Sequence, residues 1–105
     1  MTATTTIAGR DVHIDEEGFL TEPDEWDEEL AKVLAAQIDL ELTDDHWKAI
    51  KFARDDYKAQ GETPTLRRMQ LAGGIGTKEM FLLFPKKPAK KMAYVSGLPK
   101  PHGCV

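Results

Sequence analysis

From residue 61 onward, glycine or proline interrupts the chain at intervals that no long helix survives. The breakers stand at Gly61, Pro64, Gly73, Gly74, Gly76, Pro85, Pro88, Gly97, Pro99, Pro101 and Gly103. Proline lacks an N–H and clashes with the preceding turn, and glycine loses the most freedom on ordering. Any helix here is therefore short. Thr63-Pro64 opens one, "TLRRMQLA", closed by Gly73-Gly74. Pro64 suits the first helical position, where its missing N–H would be unbonded anyway. Thr77 caps the next, "KEMFLLF", which Pro85 stops; Pro88 opens the last, "AKKMAYVS", which Gly97 stops. After Gly97 no helical or strand pattern continues.

Upstream the segments are longer. Thr43 caps a helix with Asp44 and Asp45 in its first turn, and Gly61 ends it. Trp47, Ile50, Ala53, Arg54 and Tyr57 follow one side of that helix. An earlier helix is expected to start at Thr21, with Pro23 in its first turn and acids near its positive end. Trp26, Leu30, Val33, Leu34 and Ile38 share one face of it and read as core. "TIAGRDVHIDEEGFL" has β-favouring residues around a Gly9-Arg10 turn, then a turn at Glu17-Gly18, and reads as a short hairpin. The expected fold is mainly α, with a small β element in front and an irregular tail behind.

A chain of 105 residues makes one domain with a modest core. No apolar run approaches the ~18 residues of a membrane span. The first residues show neither a basic region nor an apolar stretch of the signal-peptide kind. A single cysteine forms no intramolecular disulfide, and the expected compartment is the reducing cytoplasm. The net charge of −4 is unevenly spread. Residues 1–45 hold 14 acids against Arg10 and Lys32, whereas residues 46–105 hold 12 Lys/Arg against four acids. Either the halves attract each other and form solvated faces, or the basic half meets an anionic partner.

Several local patterns have an ordinary structural reading beside a chemical one. "GGIG" at Gly73–Gly76 lacks the lysine and spacing of a phosphate loop and reads as a connector. His46 has no second ligand three or four residues away and is expected at the surface or its boundary. The helix that ends at Gly61 and the short one after it, with Arg67 and Arg68 on the second, share the outline of a helix-turn-helix. Lys86, Lys87, Lys90 and Lys91 form a basic patch, either a solvated face or a dock for an acidic partner. No metal site or other cofactor is expected.

The tail, "GLPKPHGCV", carries the one thiol, Cys104. An exposed cysteine is prone to oxidation and therefore an unusual choice for an idle terminus. Pro99 and Pro101 favour an extended form, while Gly97 and Gly103 leave freedom at base and tip. Nine extended residues span about 30 Å. Such an arm suits a thiol that must enter another protein's cleft and exchange sulfur there. His102 lies two residues from the thiol, but neighbours on an irregular tail are not held as a catalytic pair. Activation is expected inside a partner's pocket.

The stretches "DEEGFL", "LTDDHWKAIKF", "TPTLRR" and "LFPKKPAKKMAYVSGLPKPHGCV" resemble, in order, the DsrC/TusE/DsvC sulfur-relay family, whose members end in a penultimate cysteine on a flexible arm. The resemblance implies a small orthogonal helical bundle with a short N-terminal β-hairpin, a body at 1–96 and a mobile arm at 97–105. It implies that Cys104 carries persulfide sulfur, as part of a relay rather than as a stand-alone catalyst. It implies a donor of the TusBCD or DsrEFH kind and an acceptor that is a tRNA thiolase or sulfite-reductase-like protein, with no membrane and no direct nucleic-acid contact. Lys86, Lys87, Lys90, Lys91 and Lys100 are the expected docking residues. Members that work with dissimilatory sulfite reductase carry a second cysteine eleven positions before the penultimate one; Ala93 stands there. This chain is thus similar to the TusE-like members, which relay persulfide toward 2-thiolation of a tRNA uridine. The stretch between Arg68 and Phe81 is also shorter than in many members. The reading from a different class is a redox-sensing regulatory or DNA-binding module, with Arg67 and Arg68 on phosphates.

Overall fold

β-Branched residues dominate "ATTTI" and recur in "RDVHI", and they suit a pleated, half-buried ribbon. In the computed structural model, which describes residues 3–7 and 9–100, these form antiparallel strands β1 (Ala3–Ile7) and β2 (Arg10–Ile14). Ile7 pairs with Arg10, so the turn falls one residue earlier than expected and Arg10 already belongs to the ladder. The Asp15 carboxylate then accepts from the N–H groups of Glu17 and Phe19, at 2.9 and 3.0 Å, and folds the chain back at Gly18. That return sets Leu20 beside Ile14.

Five α-helices follow among the described residues: α1 (Glu28–Gln37), α2 (Asp44–Gln60), α3 (Leu66–Leu71), α4 (Thr77–Leu83) and α5 (Pro88–Val95). The protein is mainly helical, as the punctuation of the sequence dictates. No helix among the described residues is long and apolar enough to cross a membrane.

The start of the first helix departs from expectation. Pro23–Glu25 form a separate 3-10 turn, Trp26 is extended, and α1 begins only after Asp27. Asp27 is the cap, its carboxylate accepting from Leu30 N–H at 2.8 Å. Thr21 caps nothing, and its hydroxyl is buried without a partner. The break has a physical reason: the extended Trp26 turns its indole toward α5, where Nε1–H donates to the Val95 carbonyl at 2.8 Å.

The later helices match their signals closely. Thr43 precedes α2, and Gly61 ends it in the left-handed conformation, donating to Tyr57 O. Thr65 caps α3, so Pro64 stands just before the cap rather than in the first turn. Gly76 takes the capping position of α4, and Thr77, as first residue, turns its hydroxyl to Gln70. Pro88 opens α5 as expected.

Two apolar clusters hold these parts together. The larger joins α2 to α5 through Ile50, Ala53, Met69, Met80, Phe84, Met92 and Leu98. The smaller, of Val12, Leu20, Leu30 and Leu34, seats the hairpin on α1. Trp26 and Tyr94 pack against both. His46 is not at the surface: it is 6% exposed within the bundle. Thr43 N–H donates to its Nδ1 at 3.0 Å, so its proton sits on Nε2, which donates to the Leu83 carbonyl at 2.6 Å. The ring thus bolts the start of α2 to the end of α4 and meets Phe84 edge-on.

Candidate functional site

Cys104 and His102 lie outside the described residues, which end at Lys100. Gly97 follows α5 with φ +68°, a conformation that side chains rarely adopt. A Cβ there would stand 2.3 Å from Trp26 Cδ1, so the indole lies against the bare backbone. Arg54, from the middle of α2, lies over the Trp26 ring with its guanidinium carbon 4.1 Å from the centroid. Its Nη1 donates to the Ser96 carbonyl at 2.8 Å and its Nη2 to the Pro23 carbonyl at 3.2 Å. Burial lowers the Arg54 pKa, and Asp24 and Asp55 oppose that shift.

Beyond Gly97 the chain stays on the body. Leu98 is 1% exposed in the main core, and its N–H donates to Ala93 O at 3.0 Å. Thr63 Oγ1 donates to the Pro99 carbonyl at 2.7 Å. Lys100 pairs with Glu17 at 3.0 Å, which joins the basic half of the sequence to the acidic half.

The expected docking lysines divide. Lys87, Lys90 and Lys91 line one open groove of about 310 Å³ with Tyr94, Phe19, Ile38 and Glu17. Lys100 reaches the same place through its pair with Glu17. Lys86 is exposed but stands outside that lining, in the left-handed turn before α5. Burial raises the Tyr94 pKa, and its hydroxyl donates to Gln37 at 3.1 Å.

Other patterns resolve into structure. Gly73 and Gly74 connect α3 to α4: a Cβ on Gly73 would stand 2.7 Å from Met69 O. Arg68 is held by the buried Asp56 through two of its nitrogens, an interaction that raises its pKa. It is therefore not presented on a free reading face. Ala93 is fully buried in α5. Among the described residues no group of three His, Cys, Asp or Glu side chains stands close enough to hold a metal ion.

Trp26, Arg54 and Thr63 were not legible as site residues. The one available signal was Arg54 itself, a charge on the otherwise apolar side of "WKAIKFARDDY". A charge in that position must find buried partners. The carbonyls that satisfy it lie 31 and 42 positions away in sequence, beyond the reach of any local pattern.

The model of one family, DsrC-like protein, matches residues 6–105. The chain belongs to the DsrC-like family. TusE sulfurtransferases of Escherichia coli (strain K12) and Photorhabdus laumondii are 35% identical to it over 104 residues, covering 92% of this chain and 95% and 94% of theirs. Among solved structures it is similar to DsrC of Allochromatium vinosum, with TM-score 0.81 and 37% identity over the whole of both chains. It is also similar to the oxidized gamma subunit of dissimilatory sulfite reductase (DsrC) from Archaeoglobus fulgidus, with TM-score 0.76, 35% identity and 98% and 100% of the two chains covered. The family match thus spans both the anchored segment 95–100 and the residues beyond it.

Proposed function

We propose that this protein is a sulfur carrier of the relay type. Cys104 accepts sulfane sulfur from a persulfidated donor and passes it to an acceptor protein. The reading is carried by one observation: the family match extends through residue 105 and so includes the penultimate Cys104. Chemically, the Cys104 thiolate attacks the outer sulfur of the donor's persulfide. The S–S bond of the donor breaks, the donor cysteine leaves as a thiolate, and Cys104 becomes the persulfide. The second transfer repeats this with an acceptor thiolate, and neither step changes the total count of electrons or protons. The chain needs no cofactor for it.

The TusE-like role, relay toward tRNA thiolation, is favoured over a sulfite-reductase cycle. Ala93 occupies the place of the second arm cysteine and is sealed in the core of α5. The expected donor resembles TusBCD or DsrEFH, the expected acceptor a tRNA thiolase, and the expected compartment the cytoplasm, where thiols stay reduced. Lys87, Lys90, Lys91 and Lys100, with Lys86 at the margin, offer a positive surface for docking. The DNA-binding reading gains nothing, since Arg68 is engaged by Asp56.

The test is mass spectrometry after incubation with a persulfidated donor. Cys104 should gain about 32 Da, one sulfur atom, and the Cys104→Ser protein should fold normally and gain nothing. An unmodified Cys104 in the natural sequence would refute the carrier role.

A further inference from the structure

The arm is expected to begin at Gly97, yet the residues on both sides of Gly97 are fastened to the body. The Val95 carbonyl accepts from the Trp26 indole and the Ser96 carbonyl from Arg54, both at 2.8 Å. Leu98 is sunk in the core. Pro99 has no N–H, so its carbonyl is its one backbone handle, and Thr63 Oγ1 holds it at 2.7 Å. Thr63 is itself 5% exposed, in the link between α2 and α3. A buried hydroxyl spent on a carbonyl 36 residues away is a long-range tie, not a local cap.

We infer that the chain is fastened to the body as far as Lys100 rather than free from Gly97 onward, and that Thr63 is a positioning residue that fixes the segment leading to Cys104. The role given to Cys104 rests on the carrier reading; the anchoring does not. The consequence is geometric. The five residues Pro101–Val105 reach about 17 Å when extended, little more than half the span of a nine-residue arm. A partner's reacting sulfur must therefore come close to Lys100. That points docking to the surface beside Lys100, where Glu17 borders the Lys87, Lys90 and Lys91 groove. An anchor only four residues before the thiol also raises the concentration of the thiol at that surface.

The experiment uses the full chain with Thr63→Val, which keeps the shape and removes the donor, and Thr63→Ser, which keeps the donor. Amide exchange by NMR should show a protected Leu98 N–H in the natural sequence. Thr63→Val should speed its exchange about tenfold and leave the Ser96 N–H, bonded to Met92 O, within about twofold. Sulfur uptake from a persulfidated donor sulfurtransferase should slow about fivefold in Thr63→Val, while alkylation of Cys104 by iodoacetamide, which needs no aiming, stays within about twofold. Thr63→Ser should restore both readouts.

An unprotected Leu98 N–H in the natural sequence overturns the anchoring. Unchanged sulfur uptake in Thr63→Val overturns the positioning role even where Leu98 exchange rises, and so does an equal slowing of uptake and alkylation. A natural protein that takes up no sulfur at all defeats the carrier reading instead, and Leu98 exchange still decides whether the segment is anchored.

Discussion

The segment 95–100 has two flanks built by opposite means. On one, Trp26, Arg54 and Thr63 hold the carbonyls of Val95, Ser96 and Pro99 through directed hydrogen bonds at 2.7 and 2.8 Å, with a bare glycine against the indole. On the other, Lys87, Lys90 and Lys91 line an open groove, and Lys100 meets Glu17 in solvent. The first flank is partly buried and fixes geometry. The second keeps its charges hydrated, where they act over a Debye length rather than a bond length. The contrast separates two tasks that a carrier needs. Its thiol must start from a defined place, and its partners must be drawn to that place without being bound too tightly to leave.

The sharpest way to break the comparison is Gly97→Ala. The new Cβ meets Trp26 Cδ1 at 2.3 Å, and φ +68° disfavours any side chain. The two penalties together should cost about 3 kcal/mol or more. Thermal unfolding should then begin roughly 10 °C lower or more. A loss below about 1 kcal/mol would show that the indole retreats freely, and that the first flank is no more rigid than the second.

The matching change on the other flank replaces Lys87, Lys90 and Lys91 with Gln. All three charges border open solvent, so stability should stay within about 0.5 kcal/mol. Sulfur uptake from a donor protein should instead slow about tenfold at low salt, and the gap should close as salt screens the natural protein too. Transfer kinetics across a salt series check this. A rate difference that persists at high salt would mean that the lysines make short-range contacts rather than steer.

The two flanks also differ in how legible they were. Short helices could be read because Gly61, Gly73-Gly74, Pro85, Pro88 and Gly97 are local instructions: Pro88 opens a helix, and the others stand just beyond helix ends. The lysine patch was legible for the same reason: Lys87, Lys90 and Lys91 lie on one short helix with its lead-in, so sequence proximity implies spatial proximity. The opposite flank was not. Trp26 showed the spacing of a core stripe, and only the tertiary tie to Val95 explains why the chain is extended there. His46 is expected at the surface or its boundary and is instead buried, because its partner carbonyl, Leu83, lies 37 residues on. A polar side chain is buried when a distant backbone group satisfies it, and local pattern contains no record of that group.

The smallest expected effect tests where the flanks meet. Lys100 and Glu17 are paired at 3.0 Å, but their side chains are 40% and 47% exposed. Water competes for both charges, and two long side chains must be ordered to form the pair. Such a pair contributes about 0–1 kcal/mol. Glu17→Gln should therefore lower stability by about 0.5 kcal/mol or less, and the coupling to Lys100→Met in a double-mutant cycle should be no larger. A coupling above about 2 kcal/mol would contradict the division between the two flanks, because a solvated pair would then be acting as a structural bond. The rigid flank would extend through Lys100 by electrostatics as well as by hydrogen bonding, and the lysine groove would belong to the anchor rather than to the approach.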